Sequence, residues 1–277
     1  MSNKNLKSKR LLVCVLCYNA EDFVVDTINR IPKSLKKYNT DVLIIDDAST
    51  DNSFGIISKI DKRKFPFPLI NLKNSQNQGY GGNVKLGIIY AMENKYDAIA
   101  FTHADGQYPP ELIFDYSKFV LEDEYSTVFG SRMFSKKSAL KGGMPLYKFF
   151  GNIFLTFFQN FFLSTKFSEF HSGFRIYSIE SLQKVPFELA SNYFDFDTDV
   201  TLQFLAADLK IKEMPIPTKY GKEKSRVNVF YYGLIILKST IIFWAHVKGI
   251  IKEKKFSNVP SFQERKKLKE ILLQAKN

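Results

Sequence analysis

Between residues 98 and 111 an apolar run is cut short by polar side chains. Ala98-Ile99-Ala100-Phe101 leads into Thr102-His103-Ala104-Asp105-Gly106-Gln107, and Pro109 and Pro110 then block further strand pairing. Side chains alternate along an extended strand, so His103, Asp105 and Gln107 are expected to point the same way. An imidazole, a carboxylate and an amide would then meet at the carboxyl end of a parallel strand, where open α/β sheets bind ligands. Imidazole and oxygen donors suit Mn²⁺ or Mg²⁺ carrying phosphates. Taken alone, the same stretch also reads as a polar turn after a core strand.

The surrounding pattern supplies the sheet. Strands are expected over residues 10–17, 41–46, 69–72, 97–102 and 126–130, with helices over 20–30 and 83–93. Asp51 falls where a short helix would begin, near its positive end. Strand and helix alternate, so the expectation is an α/β fold with a mainly parallel sheet flanked by helices. The loop Gly79-Tyr80-Gly81-Gly82 lacks the third glycine of a dinucleotide fingerprint, because Val84 stands in that place, and lacks the Gly-Lys-Ser/Thr ending of a P-loop. Its glycines read instead as a tight strand-to-helix turn.

The second half changes character. Residues 147–163 are loaded with phenylalanine, while Lys148, Asn152, Thr156 and Gln159 recur at helical spacing: a wide aromatic face with a thin polar stripe. A second apolar stretch, residues 227–247, is interrupted by Lys238, and a lysine at the centre of a spanning helix costs ~3 kcal/mol. Both helices therefore read as lying on a membrane interface, with packing on each other or on a second copy as the competing reading. Residues 264–276 form a charged helix. The division expected is a domain over 10–226 and a basic, amphipathic appendage over 227–277.

Charge agrees with anionic partners. Forty Lys and Arg against 28 Asp and Glu leave +12, concentrated toward the ends of the chain, and no nucleic-acid motif has recognisable spacing. Cys14 and Cys17 have an odd separation on a strand, which sends them to opposite faces and makes them buried thiols rather than a metal or redox pair. The polar, basic N-terminus does not read as a signal peptide.

With these pieces in order, the chain resembles the family 2 glycosyltransferases of the GT-A (Rossmann-like) fold, most of all the polyprenyl- and dolichol-phosphate sugar transferase type. Leu16-Cys17-Tyr18-Asn19-Ala20-Glu21 occupies the place of P-x-Y-N-E, and Ile45-Asp46-Asp47-Ala48-Ser49-Thr50-Asp51 is similar to V-D-D-x-S-x-D. The run from His103 to Pro110 falls in register with D-A-D-G-Q-H-P-P, with His103 for the first aspartate. Gly130-Ser131-Arg132 matches G-S-R, and residues 169–175 resemble D-x-x-S-G-F-R with Glu169 for aspartate. The resemblance implies nucleotide contacts from Leu16, Tyr18, Asn19, Asp46, Asp47, Ala104 and Asp105, with Asp47 on the base. It implies a metal, Mn²⁺ or Mg²⁺, at His103, Asp105 and Gln107. It implies phosphate or acceptor contacts from Arg132 and from Lys224, Ser225 and Arg226 of a mobile basic loop.

That family displaces a nucleoside diphosphate from the anomeric carbon with inversion. The implied donor is UDP- or GDP-linked. The implied acceptor is a polyprenyl phosphate, on an enzyme held peripherally at the cytoplasmic side of a membrane. A lipid phosphate is already ionised and needs no general base. A sugar-hydroxyl acceptor, as in soluble transferases of surface polysaccharide or glycan synthesis, would need one; Asp197 or Asp199 is the candidate beside Asp105. A non-catalytic nucleotide-sugar-binding or scaffold protein is the remaining alternative, drawn from the departures at Ala20 and His103.

Overall fold

The computed structural model describes residues 9–220 and 227–275. β1 (Arg10–Cys17), α1 (Val24–Asn29), β2 (Asn39–Asp46), α2 (Ser53–Ser58), β3 (Leu69–Lys73), α3 (Tyr80–Glu93) and β4 (Ala98–His103) alternate along the first part of the chain. α4 (Ile113–Leu121), β5 (Thr127–Ser131), α5 (Lys136–Lys141) and the long α6 (Leu146–Leu163) follow. The remainder is β6 (Arg175–Ser178), α7 (Ile179–Gln183), α8 (Phe196–Ala206), β7 (Ile211–Pro215), α9 (Val229–Val247) and α10 (Phe262–Ala275).

The strands form one sheet in the order β3-β2-β1-β4-β6-β5-β7. β6 runs antiparallel to both its neighbours, and the other pairs are parallel. This is the mainly parallel α/β sheet that the sequence pattern predicts. The short β6 and the half-buried β7 were outside that prediction: four residues of R-I-Y-S carry too little period to register as a strand.

Alternation along the strands sorts the core into two layers. Leu11, Val13 and Val15 of β1 face α1, α2 and α4, while Leu12, Cys14 and Leu16 face α3 and α8. Cys14 and Cys17 fall in different layers, both buried and unbridged, and burial pushes the Cys17 thiol up to about 12. They serve as small apolar side chains.

The C-terminal helices close over this body. α9 packs on α6 and α8, α10 packs on α3, and Leu272 of α10 joins the core beside Val84 and Ile88 of α3. α6 is turned inside out for a protein in water: Asn152, Thr156 and Gln159 face inward, while Phe150, Phe154, Phe157 and Phe161 are exposed. α9 repeats the arrangement, with Ser239 and Thr240 inward and Phe230, Leu234 and Ile241 outward. Trp244 of α9 meets Phe162 of α6 edge to face at 5.9 Å, so the helices pack on each other along one side and leave the other bare.

Candidate active site

A cleft of about 1420 Å³ opens over the carboxyl ends of β1, β2 and β4 and continues between α6 and α9. Its position follows from topology, because loops leaving parallel strands diverge at that edge and leave a crevice. Leu16, Tyr18, Asn19, Asp47 and Ala104, all expected in nucleotide binding, line it.

Two neighbouring loops are stitched together to build the β1–β2 end. Asn19, with φ 48°, donates its N–H to Ser49 Oγ (2.9 Å), and its Oδ1 accepts from the Thr50 N–H (2.8 Å). The N–H of Ala20 donates to Ser53 Oγ (2.8 Å), and that of Glu21 to Asp51 Oδ2 (3.1 Å). Asp51 also accepts from the Ser53 N–H at the start of α2, so its role is to hold the two loops and the helix entrance. Asp46 and Asp47 part company at this point. Asp46 is buried off the cleft and accepts from the Ser49 N–H (2.9 Å), closing the turn, whereas Asp47 stands on the cleft wall. Asp47 Oδ1 takes the Asn74 amide and the Gln78 N–H, both at 2.8 Å, yet burial still raises its carboxyl above the ordinary range.

His103, Asp105 and Gln107 all line the cleft, but strand alternation is not what brings them there. β4 ends at His103, whose carbonyl accepts from the Gly106 N–H (3.1 Å), and Gly106 has φ 69°. A turn presents the three side chains, which corrects the expectation of one continuous strand face. Asp105 Oδ1 accepts from the Gln107 N–H (3.0 Å). The His103 ring lies edge-on to Tyr80 (5.3 Å) and Tyr108 (4.7 Å), and burial lowers its pKa against the pull of Asp105 and Asp197. Its Nε2 is buried without a hydrogen-bond partner, in space that exists because residue 173 is glycine; a Cβ there would come within 2.9 Å.

The donor set fits a phosphate-bound divalent ion. Among the described residues no group of three His, Cys, Asp or Glu side chains forms a cage. Mg²⁺-type sites rarely have one: a carboxylate or two, waters and substrate phosphates complete the shell. Asp105, with Gln107 and the imidazole of His103 on the same cleft wall, would supply that partial set.

The β5 end carries a buried ion pair. Arg132 is clamped by the fully buried Glu169, its Nε at 3.0 Å from Oε1 and its backbone N–H at 2.6 Å from Oε2. Burial works against both charges, but the pair outweighs it, holding the guanidinium protonated and the carboxyl ionised. Asn152 of α6 donates to the same carboxylate (2.9 Å), and Arg132 Nη1 donates to Tyr220 (3.2 Å). Lys224, Ser225 and Arg226 lie outside the described residues.

The two α8 carboxylates also separate. Asp197 lines the cleft, accepts from the Tyr80 hydroxyl (2.8 Å) and faces the buried Arg175 at 3.8 Å; burial raises its pKa against both partners. Asp199 lies off the cleft, takes Lys255 Nζ (2.8 Å) and the Ser191 N–H (3.0 Å), and so ties α8 to the C-terminal segment. The expectation of a catalytic Asp199 is corrected: helical spacing of two residues turns the carboxylates roughly 200° apart. Tyr80, Tyr108 and His171 are cleft residues to which sequence gave no role. Tyr80 stands inside the glycine loop and His171 inside the Ser-Gly-Phe-Arg element, but only folding brings positions 80, 108 and 171 together.

Comparison with known proteins agrees with this geometry. The family model for glycosyl transferase family 2 matches residues 12–185. An uncharacterized protein of Methanocaldococcus jannaschii is 30% identical over 78% of this chain and 84% of its own. A UDP-N-acetylglucosamine–dolichyl-phosphate N-acetylglucosaminyltransferase of Methanococcus voltae is 26% identical over 84% of this chain and 98% of its own. Among solved structures, glucosyl-3-phosphoglycerate synthase from Mycobacterium tuberculosis, in complex with Mn²⁺, UDP and glucosyl-3-phosphoglycerate, superposes with a TM-score of 0.54 at 13% identity, covering 88% of this chain and 82% of that one. The likeness is one of fold, the GT-A architecture.

Proposed function

The chain belongs to glycosyl transferase family 2, and on that premise we propose that it moves a hexose, with inversion, from a UDP- or GDP-linked sugar to a polyprenyl phosphate at a membrane surface. The observation that carries this reading is the shape of the cleft. A polar end at Asp47 and Asn19 runs past Asp105 and Arg132 into an apolar arm between α6 and α9. A nucleotide fits the first end, and an amphiphile fits the second. The Methanococcus voltae relative, whose name gives a UDP-sugar donor and a dolichyl phosphate acceptor, matches over nearly its whole length.

In this reading Asp47 and Asn19 orient the base and ribose side of the donor. Asp105, Gln107 and His103 would hold Mn²⁺ or Mg²⁺, which would supply charge neutralisation for the diphosphate. Arg132, fixed by Glu169, presents a preoriented cation to phosphate oxygens without reorganising during the reaction. The phosphate acceptor arrives ionised, so the attacking oxygen needs no base. The bare aromatic faces of α6 and α9 rest on the membrane surface. α9 is long and apolar enough to cross a bilayer, but Lys238 sits on its exposed face, where a helix lying in the interface lets the ammonium reach water. A second reading, transfer to a sugar hydroxyl, is favoured by one observation: Asp197 stands in the cleft with its pKa raised by burial, as a general base would.

Thermal denaturation with UDP or GDP, each with and without Mn²⁺, tests the donor end. Ligand at about 100 times its Kd adds ~2.7 kcal/mol, a rise of about 5 °C for a chain of this size. A rise with one nucleotide, larger with Mn²⁺, is expected; no rise with either removes the donor assignment.

A further inference from the structure

The apolar arm of the cleft contains two glycines that nothing in the fold requires. Gly151 lies inside α6 and Gly233 inside α9, neither with a positive φ, and a Cβ built on either meets no atom within 4 Å. A mid-helix glycine costs about 0.5–1 kcal/mol relative to alanine. Close packing is the usual reason to keep one, and it is absent at both positions. Both glycines line the cleft, on the two helices that wall its apolar arm.

The mouth of that arm is cationic. Lys148, one turn before Gly151, lies over the Tyr220 ring at 5.1 Å, and Arg132 donates to the hydroxyl of the same tyrosine. Glu169 is consumed by Arg132 and Asn152, and among the described residues Lys148 has no carboxylate partner. On the same wall His171 engages Tyr232 of α9 through Nδ1 (3.0 Å) and leaves Nε2 buried without a partner. An excess cation and an unfilled hydrogen-bonding atom stand at the head of an apolar space.

We propose that Gly151 and Gly233 set the bore of a channel for the hydrocarbon chain of a phosphate monoester, whose head is seated by Lys148 and Arg132. The proposal rests on the acceptor reading given above and assigns the residues that select the acceptor. A chain passing between α6 and α9 occupies the space that a side chain at either glycine would fill, while its phosphate meets the two cations.

Isothermal titration of the full chain with farnesyl phosphate, farnesol and inorganic phosphate tests it. Farnesyl phosphate is expected to bind at least about tenfold tighter than either fragment. Gly151→Trp and Gly233→Trp are expected to lose about tenfold or more of that affinity, Gly151→Ala to lose a smaller part of it, and Lys148→Met to reduce the advantage of farnesyl phosphate over farnesol. Gly233→Leu serves in place of a tryptophan variant whose melting temperature falls. Tryptophan or leucine variants that bind farnesyl phosphate like the unaltered chain overturn the proposal. So does equal affinity for inorganic phosphate, or no binding of farnesyl phosphate by the unaltered chain. UDP and GDP binding, measured in parallel, is expected to be unchanged in every variant. Its absence from the unaltered chain would sink the donor reading and leave the farnesyl phosphate arm to decide the channel.

Discussion

The hydroxyl of Tyr80, at the start of α3, donates to Asp197 Oδ2 of α8 at 2.8 Å, joining residues 117 positions apart on the wall of the cleft. The same tyrosine stacks on Phe194 and meets His103 edge-on, so Asp197 fixes an aromatic wall. For a phosphate acceptor this is a positioning role. Asp197→Asn is then expected to lower kcat by about tenfold and to leave the shape of the pH–rate profile unaltered. A loss above about 1000-fold, with disappearance of the acidic limb, would establish a general base and a hydroxyl acceptor. Asp199→Asn is expected to lower stability without touching the pH profile, because its partner is Lys255.

Asp105 is the carboxylate that the turn after β4 presents to the cleft. Asp105→Asn is expected to cost at least about 100-fold in transfer and to weaken Mn²⁺ binding in the presence of UDP, followed by electron paramagnetic resonance. Unchanged Mn²⁺ affinity would move the metal away from this turn.

His171 makes the chain sensitive to acid. Burial depresses its pKa from 6.5 to about 4, so between those values the unfolded chain takes up a proton that the folded one refuses. Stability is therefore fully present above pH 6.5 and falls as pH drops toward 4, by ~3 kcal/mol for this group. Urea unfolding at pH 7 and pH 5 should show His171→Gln losing about 2 kcal/mol less across that interval than the unaltered chain. An identical loss would mean that His171 titrates in the folded state as it does in water. His103, also buried, contributes in the same direction to both proteins.

The exposed phenylalanines of α6 supply the membrane test. Phe157 and Phe161 are 70% and 73% exposed, and Phe161 meets only its neighbour Phe162 among the ring pairs of the described residues, edge to face at 5.3 Å. Phe157→Asp with Phe161→Asp should leave the melting temperature within a few degrees and abolish co-sedimentation with anionic liposomes. Retained co-sedimentation would place the membrane contact elsewhere. Removing the C-terminal helices is a poorer experiment, because α10 packs on α3 and Leu272 is core.

Much of this was legible in the residues. The apolar run of β1, the alternation of strands and helices and the polar cut after Phe101 mark the sheet and the edge that carries the cleft. The aromatic face of α6 was visible because phenylalanine and polar residues recur at helical spacing. Less legible was whatever depends on a long-range neighbour. Asp46 and Asp47 are adjacent in sequence, and only the turn closed by Ser49 sends one inward and the other into the cleft. Asp197 and Asp199 differ by helical phase. His171, Lys148 and Tyr220 acquire meaning only when α6 and α9 are laid beside the end of β5.

Product formation is the direct test of sugar transfer to a lipid phosphate. Incubation of the full chain with UDP- and GDP-linked hexoses, Mn²⁺ and farnesyl phosphate, read by mass spectrometry, should give a farnesyl phosphate carrying one hexose from one donor class. Free hexose with no glycosylated lipid phosphate from any donor, under conditions where both ligands bind, would contradict it.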